Sequence, residues 1–316
     1  EIIRRDRRQS YFSRSFVDFS KRLVSSHRLR TGASKLKQRS SEFSRAEREY
    51  GVPPEVITAF WALESDFGAG ITKQSQIFDS LATLAYDCRR PELFSRELIA
   101  AMKIIDRGYL TLDRMVGSWA GELGQTQFLP SHYLNHAIDA DGDGRRDLIR
   151  SDPDIIHSTA NYIRHLGWRH GEPWLVEVTV PARLDWKEAD LDIKHPVSRW
   201  ASWGVTRRDG RRLSGNLPAA LLLPMGRNGP AFLAYPNFDI YPQWNQSLNY
   251  AITAAYLATR LAGVPPYLPG RGTVENYGYK DILELQQLLN RRGLDTGGVD
   301  GKLGSKSRAA VKAAQL

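Results

Sequence analysis

One cysteine, Cys88, stands in 316 residues, so no disulfide can form within the chain and no cysteine-based zinc site is available. A lone thiol of this kind reads as a small buried apolar side chain. Long apolar runs are also missing: none approaches the roughly 18 residues that a bilayer-crossing helix requires. The chain opens with Glu1 in the charged stretch EIIRRDRRQS, so any export signal is expected to have been removed or never to have existed. There is no phosphate-cradling glycine loop. His132, His136, His157, His165, His170 and His195 read as surface or packing residues without a paired spacing on a shared helix face, which argues against zinc catalysis. Acidic residues are in deficit, 35 against 44 Lys and Arg, which leaves a formal charge of +9. That balance favours a polyanionic partner, whether nucleic acid, an acidic lipid surface or a carboxylate-rich polymer. The basic residues are dispersed, with short clusters at Arg4 to Arg8, Arg207 to Arg212 and Arg291 to Arg292, and no zinc-finger or RNA-binding signature, so nucleic acid is not expected.

What is present is a helix-rich front half. From Tyr11 to about Asn161 apolar residues recur at three- and four-residue spacings between Gly, Pro and Ser breaks. WLVEVTV (Trp174 to Val180) alternates, and Ala219 to Leu223 and Ala231 to Tyr235 are short apolar runs bounded by Pro and Gly. These predict a small strand-containing insertion. Helical spacing resumes over Ser247 to Leu261, and GVPPYLPGRG then reads as a linker. Beyond it, Ile282, Leu285, Leu288 and Leu289 share a helix face that Gly293 can cap, and Ser305 or Ser307 can cap a last helix. The expected fold is mainly α with a small sheet. Its parts are a domain over residues 1–265, a linker over 266–276 and a small helical module over 277–316 that is truncated or leans on the main domain.

Three segments carry chemistry. PPEVITAFWALESDFG predicts a helix begun by Pro and ended at Gly68, with Glu64 near its C-terminal end on the face of Phe60 and Val56. Desolvation and the negative helix end would raise the pKa of such a carboxyl, as a general acid requires, although the pattern alone equally describes a partly exposed structural carboxylate. Asp66 falls on another side and reads as a surface or capping group. GSWAGELGQTQFLPS interleaves small residues with Ser118, Glu122, Gln125, Thr126 and Gln127, which suits either a sugar-binding cleft or a glycine-rich helix seam. DADGDGRRDL places Asp139, Asp141, Asp143 and Asp147 at positions one, three, five and nine of a calcium loop, with Gly144 at six but Arg150 at twelve, where a bidentate acid belongs. Both a calcium site and a metal-free acidic turn fit that pattern.

WALESDFG, GSWAGELGQTQFLPSHY, STANYIRHLGW and PQWNQSLNYA, in this order, resemble the successive motifs of the lytic murein transglycosylases of the membrane-bound B type, over about Ser20 to Gly263. LQQLLNRRGL, VDGKLG and SRAAVKAAQ resemble part of a peptidoglycan-binding domain. The resemblance implies a lysozyme-like helical catalytic domain, Glu64 as general acid and then base, and Ser118, Gln127, Tyr162 and Asn245 as substrate-binding residues. It implies cleavage of the MurNAc–GlcNAc β-1,4 bond with formation of 1,6-anhydroMurNAc ends and no required cofactor. A structural Ca2+ would be held by the four aspartates. It further implies glycan strands of peptidoglycan as partner, with other cell-wall enzymes as candidate associates, and a periplasmic location. Trp244 stands where the family often has Tyr, and Glu122 where it often has a small or apolar residue. A lysozyme-like muramidase and a non-catalytic wall-binding protein are the competing readings. The muramidase would need Glu122 or Asp66 across a cleft from Glu64.

Overall fold

The computed structural model describes residues 1–7, 15–71, 75–274, 277–301 and 303–315. Arg8, Tyr11 and Lys302, from segments read above, lie outside them. In chain order come α1 (Ile2–Arg7), α2 (Phe16–Leu23), α3 (Ser26–Gln38), α4 (Ser40–Tyr50), α5 (Pro54–Ser65), β1 (Ser75–Gln76), α6 (Ile77–Tyr86), α7 (Pro91–Asp106), β2 (Val116–Gly117), α8 (Pro130–His136) and α9 (Asp152–His165). Then follow β3 (Leu175–Thr179), β4 (Lys194–Pro196), α10 (Val197–Ser202), β5 (Thr206–Arg207), β6 (Pro218–Leu222), β7 (Ala231–Ala234), α11 (Ile240–Trp244), α12 (Leu248–Leu261), α13 (Tyr279–Arg291) and α14 (Ser305–Gln315). The fold is mainly helical with a small sheet, as the periodicities predict. Two compact units divide it: Glu1–Gln9 with Ser26–His170, and Ser10–Ser25 with Gly171–Leu316.

The first unit is built around α5. Every residue from Val56 to Ala62 is fully buried, so the helix is enclosed on all sides instead of on one stripe. α4 packs on α9, where Tyr50 meets His157 edge-on at 5.8 Å. Arg45 there donates to His157 Nε2 at 3.0 Å and to the Ala140 carbonyl at 2.7 Å. α1 is held to the α6–α7 turn by the buried Asp6 carboxylate, which accepts from Arg89 at 2.6 Å and Arg90 at 2.5 Å. The two arginines draw its pKa down against burial, which by itself raises it. In the same turn Asp87 faces inward to accept from Arg7 at 2.8 Å. With Asp87 and Arg89 both turned toward α1, the intervening Cys88 is exposed, which corrects the expected buried thiol.

The loop between α8 and α9 is fixed by a residue to which the sequence assigned no role. Asp154, in the first turn of α9 and fully buried, accepts from the Ala140 and Asp147 amides, both at 2.7 Å. Its neighbour Asp152 takes Lys35 at 2.9 Å and Arg39 at 2.8 Å, negative charge placed where a helix N-terminus favours it.

In the second unit the larger sheet is antiparallel, in the order β4-β6-β7-β3-β5. The three predicted strands are its centre. β4 and β5, at three and two residues, are too short to show alternation. β6 and β7 read as unbroken apolar runs because they are buried throughout, apart from Pro218. Leu221 and Leu233 meet Val178, Val197 and Trp200 in one cluster. Phe16 of α2 packs edge-on against Phe232 at 5.9 Å. Ser247 caps α12 by accepting from the Tyr250 amide at 3.3 Å. In the C-terminal helices the buried Gln286 accepts from the Asp300 and Gly301 amides and donates to Ser307 Oγ at 3.1 Å. Ser307, offered above as a cap, therefore lies inside α14 as part of this buried network. Lys312 of α14 reaches Asp190 at 2.8 Å.

Asp154→Ala leaves two loop amides without their acceptor in a buried place. A loss of about 3 kcal/mol of unfolding free energy is expected from urea denaturation, since bonds to a charged group contribute about 1.5–3 kcal/mol each.

Candidate active site

α5 begins after an extended Pro53 and places Pro54 in its first turn, where the missing N–H costs nothing. It stops at Ser65, earlier than Gly68, because Asp66, Phe67 and Gly68 are all left-handed (φ 53°, 59° and 90°). The Ser65 carbonyl accepts from the Gly70 amide at 2.7 Å, and Ser65 Oγ accepts from the Gly68 amide at 2.9 Å. Glu64 is thus the penultimate helical residue. It is half-buried because the enclosed helix ends there. Asp66 caps the helix and pairs with Arg28 at 3.2 Å.

The second segment is a chain of turns, neither the helix seam nor an open loop. Ser118 N–H donates to the Glu122 carbonyl at 2.9 Å and Leu123 N–H to that of Phe128 at 2.7 Å. Gly117 is required because a Cβ there would fall 2.0 Å from the Glu122 carbonyl oxygen. Gly121 has φ 84°, and its Cβ would strike Leu81 Cδ2 at 2.3 Å. Ser118 Oγ accepts from the Ala120 and Glu122 amides at 3.1 and 3.2 Å and donates to Glu122 Oε2 at 2.9 Å. Burial pushes the Glu122 carboxyl up, against the Ser118 hydrogen bond and the Arg90 charge, which pull it down. Gln127 is left-handed at φ 52°, and its backbone and side-chain N–H groups both donate to the Gly124 carbonyl. Among the described residues, Asp66, Phe67 and Gln127 are the non-glycine positions with positive φ. All three belong to these two segments, and strain of this kind collects at working sites.

One contact joins the two segments, and a second joins the turns to α9. Trp61, one turn before Glu64, donates its indole N–H to Gln125 Oε1 at 2.6 Å, and Gln125 Nε2 donates to the Ile149 carbonyl at 2.5 Å. Phe128 meets Tyr162 of α9 edge-on at 5.3 Å. Glu64, Ser118, Gln127 and Tyr162 therefore belong to one cross-linked set in the first unit. Asn245 belongs to the second unit, where it ends α11 and its Oδ1 accepts from the Ser247 amide at 3.0 Å. The Trp61–Gln125 bond has no local signature, since its partners are 64 residues apart.

The histidines differ from the expectation that none share a helix face. His132 and His136, four residues apart on α8, do share a face, and with Tyr162 and His165 of α9 they form one stack of rings. They remain packing residues and present ring faces to one another. Carboxylate oxygens of Asp139, Asp141 and Asp143 converge within 4.8 Å, a hard-oxygen set that suits Ca2+. Asp147 stands apart from them, with Oδ1 accepting from the Ile149 and Arg150 amides.

Gln125→Leu keeps the side-chain volume but leaves the Trp61 N–H and Ile149 carbonyl without partners. A loss of about 2–3 kcal/mol is expected in urea unfolding, and an unchanged midpoint would show that the link is not structural.

A family model described as transglycosylase SLT domain matches residues 1–259, and a peptidoglycan binding domain model matches 278–316. Membrane-bound lytic murein transglycosylase B of Escherichia coli strain K12 is 31% identical over 251 residues, 78% of this chain and 68% of that protein. SltB3 of Pseudomonas aeruginosa, solved with NAG-anhNAM-pentapeptide, superposes with TM-score 0.91 at 36% identity, over 99% of this chain and 84% of that one. Escherichia coli Slt35 in complex with calcium gives TM-score 0.70 at 30% identity, over 83% and 82%. The chain belongs to the SLT-domain transglycosylases and is a peptidoglycan lytic transglycosylase.

Proposed function

We propose that Glu64 performs both proton transfers of this reaction. It first gives its proton to the glycosidic oxygen as the C1–O bond of the muramoyl sugar breaks, while the substrate's own acetamido oxygen bonds to C1. It then takes the proton of the C6 hydroxyl as that oxygen displaces the acetamido group. The 1,6-anhydro ring closes, and Glu64 is again protonated. No water is consumed, so one carboxyl serves where hydrolases usually use two. SltB3 of Pseudomonas aeruginosa was solved with both NAG-NAM-pentapeptide and NAG-anhNAM-pentapeptide, which are the substrate and product forms of this scheme.

The observation that carries the assignment is the Trp61–Gln125 bond, which ties the last turns of α5 to the Ser118–Gln127 turns. Asp66 pairs with Arg28, and Glu122 accepts from Ser118. Ser118, Gln127 and Tyr162 are the proposed sugar-holding groups of the first unit, and Asn245 is added on its motif. The same reading assigns catalysis to residues 1–265, a linker to 266–276 and wall attachment to 277–316. Among the described residues no helix is long and apolar enough to cross a membrane. The polymer lies outside the cytoplasmic membrane, and the periplasm is the proposed compartment. Other cell-wall enzymes are candidate associates. Asp139, Asp141 and Asp143 would hold a structural Ca2+ and supply no chemistry to the bond being cleaved.

Glu64→Gln is expected to lower release of anhydro-ended muropeptides from sacculi on the order of 1,000-fold, within the range for a lost general acid, with thermal stability preserved. Reducing ends carrying added water in the wild-type digest would overturn the lytic scheme. If the acidic loop takes calcium, Ca2+ at about 100 times its Kd adds about 2.7 kcal/mol to unfolding. Differential scanning fluorimetry should then show a rise that EGTA reverses and Asp141→Asn abolishes.

A further inference from the structure

Tyr162 is gripped from several directions. Its ring lies 4.5 Å from that of His132 and 5.0 Å from that of His136, tilted by 33° and 28°, and His136 continues the stack to His165 at 4.3 Å. Phe128 closes one edge. The Tyr162 hydroxyl is 3.2 Å from His132 Nε2, and only 6% of the residue is exposed. The helix that carries both histidines is anchored at its start. Glu97 of α7, itself buried, accepts from the Ser131 amide and hydroxyl, each at 2.9 Å. Asn161 of α9 donates to the His136 carbonyl at 3.0 Å.

We propose that His132 is a positioning residue: it fixes the ring and the hydroxyl rotor of Tyr162 for contact with the glycan. This rests on the assignment of Tyr162 as a sugar-holding residue. Burial pushes the phenol up to about 12 and the His132 imidazole down, against the pull of Glu97. At neutral pH the pair thus holds one phenolic proton and one ring proton. Either the phenol donates to Nε2 and turns its lone pairs outward, or Nε2–H donates to the phenol and turns the phenolic proton outward. In each state the rotor has one orientation instead of a free torsion, so its alignment does not have to be selected again when substrate binds.

The groups facing His132 are Glu97 from α7 and His165 from α9, which oppose one another in effect. His136, next in the stack, is pushed down to about 4 by burial first and by the other two imidazoles second. Their folded values lie below the ordinary value of about 6.5. Both imidazoles therefore stay largely neutral at pH 6.5, and His136 gains its proton only toward about pH 4. A protonated His132 has no lone pair left to accept the phenolic proton.

The test measures kcat and KM on soluble glycan strands for His132→Ala, His132→Gln, Tyr162→Phe and the double variant His132→Ala with Tyr162→Phe. His132→Ala is expected to raise KM about 10-fold with kcat within about 2-fold, as loss of one orienting hydrogen bond implies. His132→Gln, whose amide can replace Nε2 without titrating, should restore most of the KM. It should also flatten the rise of KM below pH 6.5 while leaving the acid limb of kcat in place. On the Tyr162→Phe background, His132→Ala should add nothing. If Tyr162→Phe raises KM but His132→Ala does not, or if the two effects add, the positioning role fails alone. A silent Tyr162→Phe removes the sugar-holding assignment and the inference with it. Should His132→Ala unfold, His132→Gln and its pH profile decide the question.

Discussion

The candidate site hangs on one side-chain amide. Gln125 accepts from the indole of Trp61 and donates to the carbonyl of Ile149, so a single residue couples the buried α5, the turns after β2 and the segment that leads into α9. Buried polar groups are costly unless paired, and each end of this bridge is satisfied only while all three segments hold their places. Gly68 follows from the same constraint: a Cβ there would fall within 2.8 Å of the Gln125 amide.

Around that bridge, strain and exposure coincide. α5 is enclosed along its length, and the three left-handed residues that stop it let Glu64 emerge half-buried at its last turn. A helix that ran on would carry the following residues away from the Ser118–Gln127 turns. Those turns pack too tightly for any side chain at Gly117. The left-handed Gln127 gives both its N–H donors to one carbonyl. The remaining carboxyls show how burial sorts similar groups. Asp6 and Asp154 bind framework donors, and Glu122 binds Ser118.

Much of the frame was legible beforehand. Pro54 marks the start of α5 and Ser247 the start of α12. The three apolar runs are the central strands, since each signal is carried by residues within one or two turns of each other. Its errors share a cause. Cys88 faces solvent because Asp87 and Arg89 on either side are claimed by a helix some 80 residues earlier in the chain. Ser307 is interior because Gln286, 21 residues away, claims its hydroxyl. The His132–His136 pair was written in the sequence as a four-residue spacing. Its ring partners Tyr162 and His165 come from the next helix.

The amino-acid sequence by itself determined the helices, the central strands, the order of the motifs and the family they mark, because these rest on local periodicity and on residue types in succession. Only the tertiary structure decided which polar groups pair: Trp61 with Gln125, Glu122 with Ser118, Asp154 with two loop amides, His132 with Tyr162. Most of these partners lie 14 to 64 residues apart. Ser118 and Glu122, four apart, meet only because Gly117 and Gly121 let the chain turn where a helix was the alternative. Hydrogen bonding and desolvation act at ångström range, so their outcome is set by packing and not by proximity along the chain.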